Sequence, residues 1–133
     1  MRRVIMSILL ACVLAGPAVA ESRTARDVIS DQIAAFRAED PASAFAFASP
    51  FIKDKFGTPE RFGQMVREAY PMVWSPSEVT FLDARETGGK LWQEVLLRDA
   101  DGRGWIAEYE LVEVDGALRI NGVRIREAPE QAV

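Results

Sequence analysis

Two periodicities divide this chain. From Thr24 to Glu39 the apolar residues Val28, Ile29, Ile33 and Phe36 recur at helical spacing, with Arg26, Asp27, Asp31, Gln32 and Arg37 elsewhere. Thr24 or Ser22 is placed to cap that helix, and Asp27 and Asp31 suit the positive end of its dipole. Asp40-Pro41 starts a second, short helix through Ala48, because proline lacks only an N–H that has no partner in a first turn. Ser49-Pro50 ends it by pushing Ser49 out of the α region, and Phe51–Phe56 forms one helical turn that Gly57 breaks. Thr58-Pro59-Glu60 repeats the cap-then-proline signal. The helix that follows carries Phe62, Met65, Val66, Ala69 and Tyr70 on one side, and Pro71 stops it. Trp74, Ser75 and Pro76 lead onward to a sheet.

From Glu78 the period becomes two. Glu78–Glu86, Lys90–Asp99, Gly104–Val114 and Leu118–Arg126 are predicted strands, joined by Thr87-Gly88-Gly89, by Asp99 to Arg103, and by Asp115-Gly116. Joints this short force antiparallel neighbours, since a parallel crossover needs about a dozen residues. In the third strand Trp105, Ala107, Tyr109 and Leu111 share one face, opposite Ile106, Glu108, Glu110 and Val112. Glu108 or Glu110 could pair across strands with Arg98 or Arg119. The tail from Glu127 is expected to fray. The predicted fold class is α+β, with N-terminal helices packed on one face of a four-stranded antiparallel curved sheet, a meander with a cone-like outline. The aromatic stretch from Phe45 to Trp74 holds every Phe except Phe36 and Phe81, and Phe45, Phe47 and Phe51 are expected in the core.

The N-terminus changes the picture of where this domain works. Arg2 and Arg3, the apolar run Val4–Ala15 and the small residues Ala18-Val19-Ala20 form a secretory signal pattern, with cleavage expected after Ala20. Residues 1–20 are therefore read as signal peptide and residues 21–133 as a single α+β domain, located in the periplasm without stable membrane anchoring. The sole cysteine, Cys12, lies inside the signal; lipidation there would need Leu9-Leu10-Ala11-Cys12 to act as a lipobox, a poorer fit than cleavage at Ala20. No disulfide is available, so stability rests on a hydrophobic core. Loss of Arg2 and Arg3 takes the formal net charge from −4 to −6, and an acidic chain without a basic cluster argues against nucleic acid as a partner.

Composition also narrows the chemistry. The chain has no His, and its one Cys falls in the signal, so Ser-His-Asp and Cys-His catalysis have no residues to run on. Zinc and copper sites lean on the same ligands, and no metal or other cofactor is expected. No phosphate-cradling glycine loop is present. Asp99, Asp101 and Gly102 superficially suggest a calcium loop but lack a third ligand and the terminal Glu, so a hairpin turn is the better reading. Carboxylates and phenols remain: Asp83, Glu94, Glu108 and Glu110 with Tyr70 or Tyr109, although such acids usually form the solvated face of a sheet. No residue is assigned as catalytic. If a ligand site exists, Tyr70, Trp74, Trp105 and Tyr109 are the candidate walls, since small-molecule sites are mostly apolar and aromatic.

The segments FAFASPFIKDKFGTPERFGQMVREAYP and VLLRDADGRGWIAEYELVEVDGALRINGVRI, with IAAFRAED before them, resemble a family of small exported proteobacterial proteins built on a domain of unknown function. The resemblance spans about Ile29 to Ile125. That family pattern often has an aromatic near Leu118 and a cysteine near Val123; this chain has neither. The order of elements is similar to the cone-shaped nuclear transport factor 2-like (NTF2-like) superfamily; a curved sheet wrapped on a helical layer leaves room for a pocket between them without requiring one. Three functions stay open: a non-catalytic domain binding a small apolar ligand or a periplasmic protein, a cofactor-free isomerase or dehydratase using a carboxylate and a Tyr, and a structural subunit that forms a homodimer.

Overall fold

The computed structural model describes residues 23–130, so the signal pattern, its cleavage point and Cys12 lie outside the described residues. Five helices precede four strands: α1 Ala25–Arg37, α2 Pro41–Ala46, α3 Pro50–Phe56, α4 Pro59–Ala69, α5 Pro71–Trp74, then β1 Glu78–Thr87, β2 Lys90–Arg98, β3 Gly104–Val114 and β4 Ala117–Glu127. No described helix is long and apolar enough to cross a membrane.

Local chemistry sets the helix starts. Thr24 caps α1 in a reciprocal box: its side chain accepts from the Asp27 N–H, and the Asp27 carboxylate accepts from the Thr24 N–H. Asp40, Ser49 and Thr58 cap α2, α3 and α4 one way only, their side chains accepting from the N–H groups of Ser43, Ile52 and Arg61, and each is followed by proline at the first helical position. Ser49 thus both leaves α2 and opens α3, which runs for seven residues rather than a single turn. Pro71 was expected only as a stop. It also begins α5, without a side-chain cap, because its fixed φ suits a new first turn as well as it ends the previous helix.

The sheet follows chain order, β1-β2-β3-β4, with every neighbouring pair antiparallel. It is a curved, unclosed meander. Gly88 and Gly89 take positive φ in the first hairpin, and Asp115 (φ 50°) with Gly116 (φ 79°) make the paired left-handed turn that a two-residue hairpin requires. Bulges interrupt the register between Phe81 and Ala84 on β1, and where Glu110–Leu111 of β3 meets Ile120–Gly122 of β4. The β4 ladder does not fray at Glu127, because the Ala128 N–H still reaches the Gly104 carbonyl at 3.0 Å. On the far edge of β4, the Ser49 N–H donates to the Ile120 carbonyl and the Ile120 N–H to the Phe47 carbonyl, both at 2.8 Å, pinning the α2–α3 junction to the sheet.

All helices lie on one face of this sheet. Val28, Ile29, Ile33 and Phe36 of α1 join Val95, Leu97, Ala107 and Leu111 in one core, each fully buried side chain of this kind contributing roughly 1.5–3 kcal/mol. The opposite face is charged and paired, with different partners from those expected. Glu108 meets Arg85 and Arg124, Glu110 meets Lys90 at 2.7 Å, and Arg98 turns to Glu78, because the observed register sets Glu108 opposite Arg124 and Glu78 opposite Arg98. Phe51 is a second departure. It is 62% exposed, since Ile52 and Phe56, one turn apart, face the core and leave Phe51 on the outer side of α3.

Candidate functional site

The helices do not fill all the space above the sheet. A cavity of about 530 Å³ remains between α1, α3, α4 and α5 on one side and β3 and β4 on the other. Its size falls within the roughly 300–1,000 Å³ typical of small-molecule sites. Phe36 and Val73 lie deep in it, Phe62 and Val66 form the α4 wall, and Ile52, Phe56 and Met65 continue toward the outside. Asn121, Gly122 and Val123, beside the β4 bulge, complete its lining.

One buried polar group in this wall has nothing to bond. Tyr109 is 1% exposed, and its hydroxyl has no hydrogen-bond partner among the described residues. Burial alone pushes the phenol pKa well above its ordinary value of about 10. The polar residues around it are committed elsewhere. Gln32 donates to the Ala44 carbonyl at 3.2 Å. Across the strand pair, Gln93 donates to the carbonyls of Leu82 at 3.0 Å and Glu94 at 2.9 Å. Asn121 accepts from the Ser49 hydroxyl at 2.7 Å and donates to Glu110 at 3.1 Å.

The four residues expected to line a ligand site separate. Tyr70 and Tyr109 lie in the wall of this cavity. Trp74 packs on Phe36, ring centroids 5.4 Å apart, and borders a shallow groove of about 670 Å³ on the other side of α4, beside Arg67, Glu60 and Glu68. Trp105 lies outside the cavity wall and donates its indole N–H to Asp99 at 2.9 Å. Gln32 was expected on the solvated side of α1 but is 2% exposed; it stands four residues from both Val28 and Phe36, and that spacing was the available signal. Phe51, Lys55 and Asn121 also border the cavity, and sequence reasoning did not select them.

The carboxylates considered for catalysis are elsewhere. Among the described residues no Asp or Glu borders the cavity. Glu94, Glu108 and Glu110 stand on the opposite face of the sheet, Glu94 against Arg126, and Asp83 is exposed within the β1 bulge. The carboxyl pKa shifts that stand out are all downward. Lys90 first, with Asn121, holds Glu110 below the usual range; the Trp105 indole does so for Asp99; Thr24 and Ser43 do so for Asp27 and Asp40. The Asp99–Arg103 connection is a hairpin turn in which Asp99 accepts from the N–H groups of Asp101 and Arg103, both at 2.9 Å. Among the described residues no group of three or more Asp, Glu, His or Cys converges as a metal site requires. A larger groove of about 800 Å³ at the hairpin ends mixes Arg23, Lys90 and Arg119 with Glu86 and Glu113, and holds no buried unpartnered group.

Helices on one face of an unclosed antiparallel meander, with a cavity between the layers, define an α+β class that solved structures share. A DUF4783 family protein from Bacteroides ovatus matches with a TM-score of 0.53 at 13% identity, over 76% of this chain and 96% of that one, and shows the common fold. NTF2-like proteins of unknown function are also among the neighbours. One from Cytophaga hutchinsonii has a TM-score of 0.44 at 14% identity, over 86% of this chain and 98% of its own. Another from Burkholderia xenovorans has a TM-score of 0.47 at 13% identity, over 80% and 88%. No curated protein matches the sequence. Residues 18–133 match the family described as Domain of unknown function (DUF4864), and the chain belongs to that family.

Proposed function

We propose that this protein is an exported binding domain that holds a small, mainly apolar molecule bearing one hydrogen-bonding group. The observation that carries this reading is the Tyr109 hydroxyl, buried and unpartnered in the wall of a mainly apolar cavity. An unpaired buried hydroxyl costs about 1–3 kcal/mol, so a ligand atom that bonds it recovers that cost while apolar burial supplies the bulk of the affinity. The secretory signal pattern of residues 1–20 supports a periplasmic location.

A carboxylate-and-tyrosine enzyme finds less support. It needs an acid beside the phenol, yet the cavity wall contains none, and Glu108 and Glu110 point away from the ring between them. The test is native mass spectrometry of residues 21–133 purified from a periplasm, followed by a thermal-shift screen of small apolar alcohols, ketones and acids. A co-purifying small mass, or saturable stabilisation by a screened compound, is expected. A clean apo protein that no compound stabilises would refute the reading.

A further inference from the structure

The cavity is not electrically neutral at its rim. Exposure rises along the wall: Phe36, Val73 and Tyr109 are buried, Ile52 and Met65 are half-buried, and Phe51 and Lys55 are exposed. Among the described residues Lys55 is the one charged side chain that borders the cavity, and no carboxylate of theirs lies within ion-pairing distance of it. Lys90, by contrast, is tied to Glu110. The Lys55 ammonium stands 5.6 Å over the Phe56 ring, and that ring lies 5.7 Å from Phe62 in the cavity wall. A cation therefore begins a continuous aromatic path leading inward, and Phe51 leaves a large apolar surface in water beside it.

We infer that the cavity takes an amphipathic monoanion, its charged head held at the rim by Lys55 and its apolar body running inward to place the hydrogen-bonding group of the reading above at Tyr109. This assignment rests on the binding reading above and names the ligand class for the same site. A cationic head group would meet only Lys55 and no acid. A neutral head would leave the ammonium with water alone. The mature chain is net negative, so attraction for an anion must come from this local charge rather than from the overall field.

The test compares three probes with the same apolar body: decanoate, methyl decanoate and decyltrimethylammonium, each displacing N-phenyl-1-naphthylamine from the mature chain. Decanoate is expected to bind up to about fivefold tighter than either other probe, the gain of a partly exposed ion pair. Lys55→Met keeps the side-chain stem and should equalise decanoate and methyl decanoate without changing the methyl ester's affinity, which doubles as a check of the fold. Lys55→Glu should place decyltrimethylammonium first. Equal binding of all three probes to the wild type, or a decanoate preference that survives Lys55→Met, overturns the assignment and leaves the cavity reading standing. Failure of every probe to displace the dye overturns the cavity reading, and the assignment with it.

Discussion

Replacing Tyr109 by Phe removes one oxygen and nothing else, and the expected result has opposite signs for stability and for binding. The ring remains in the core with its packing unchanged, while a buried hydroxyl without a partner disappears. Leaving such a group unpaired costs about 1–3 kcal/mol, so the ligand-free Tyr109→Phe variant should gain about 1 kcal/mol, or ~4 °C in Tm for a domain of this size. The same change removes a hydrogen bond from the bound state, so decanol should bind roughly fivefold to tenfold more weakly. A third signature lies at high pH. Burial raises the folded phenol pKa above about 10, so between that value and the folded one the unfolded chain releases a proton that the native chain keeps. Stability is therefore complete below pH ~10 and falls above it, by up to about 1.4 kcal/mol per pH unit, and Tyr109→Phe should flatten this alkaline slope. Urea titrations followed by tryptophan fluorescence at neutral and alkaline pH measure all of this. A variant less stable than wild type by about 1 kcal/mol would refute the reasoning, because the hydroxyl would then have to be paired within the fold.

Other positions give independent checks. Gly63→Ala places a Cβ 3.0 Å from the Pro41 Cβ; that rigid ring cannot yield, so the variant should lose about 1 kcal/mol in a urea titration despite alanine's better helix propensity. A gain in stability would mean that α2 shifts freely. Ser49→Ala removes the cap of α3 and a partner of the Asn121 amide, and should cost about 1–2 kcal/mol while loosening α3, seen as faster amide exchange at Ile52. Asp99 is held below the usual carboxyl range, so its contribution is present above pH ~4 and lost as pH falls; Asp99→Asn should lower stability at neutral and alkaline pH and flatten the loss that the wild type shows in acid.

What could be read from the chain was what is decided locally. The cap-then-proline pairs at Asp40 and Thr58 act within one helical turn, and the glycines of the hairpins act within two residues, so each signals its element without reference to the rest of the fold. Strand ends were off by no more than about a residue for the same reason. The site was legible only where it coincided with periodicity. Tyr109 could be placed on the helix-covered face because period two puts it with Ala107 and Leu111. Trp74 and Trp105 share the composition of pocket residues, but which side of α4 or which end of β3 borders a cavity depends on helix packing that no local pattern encodes. Gln32 and Phe51 show the same limit in opposite directions. A polar residue inside an apolar stripe is buried because α2 offers it a carbonyl, and an aromatic residue in an apolar stretch is exposed because α3 turns its neighbours inward.

The geometry of a strand also bears on the choice between holding a molecule and transforming it. Glu108 and Glu110 flank the one buried phenol, which on composition alone makes them its nearest acids. In extended backbone, adjacent side chains leave on opposite faces, so sequence neighbours are the residues least able to share a site with Tyr109. Their carboxylates pair with Arg85, Arg124 and Lys90 on the outer face, with the sheet itself between them and the cavity. An acid able to work with Tyr109 would have to stand two residues away on β3, opposite it on β2 or β4, or on a covering helix. Those places hold Ala107 and Leu111, Gln93 and Val123, and the apolar faces of α1 and α4. The arrangement leaves the phenol hydroxyl without a partner in a mainly apolar wall, suited to orienting a ligand, while the charge bordering the cavity among the described residues is the Lys55 cation at the rim.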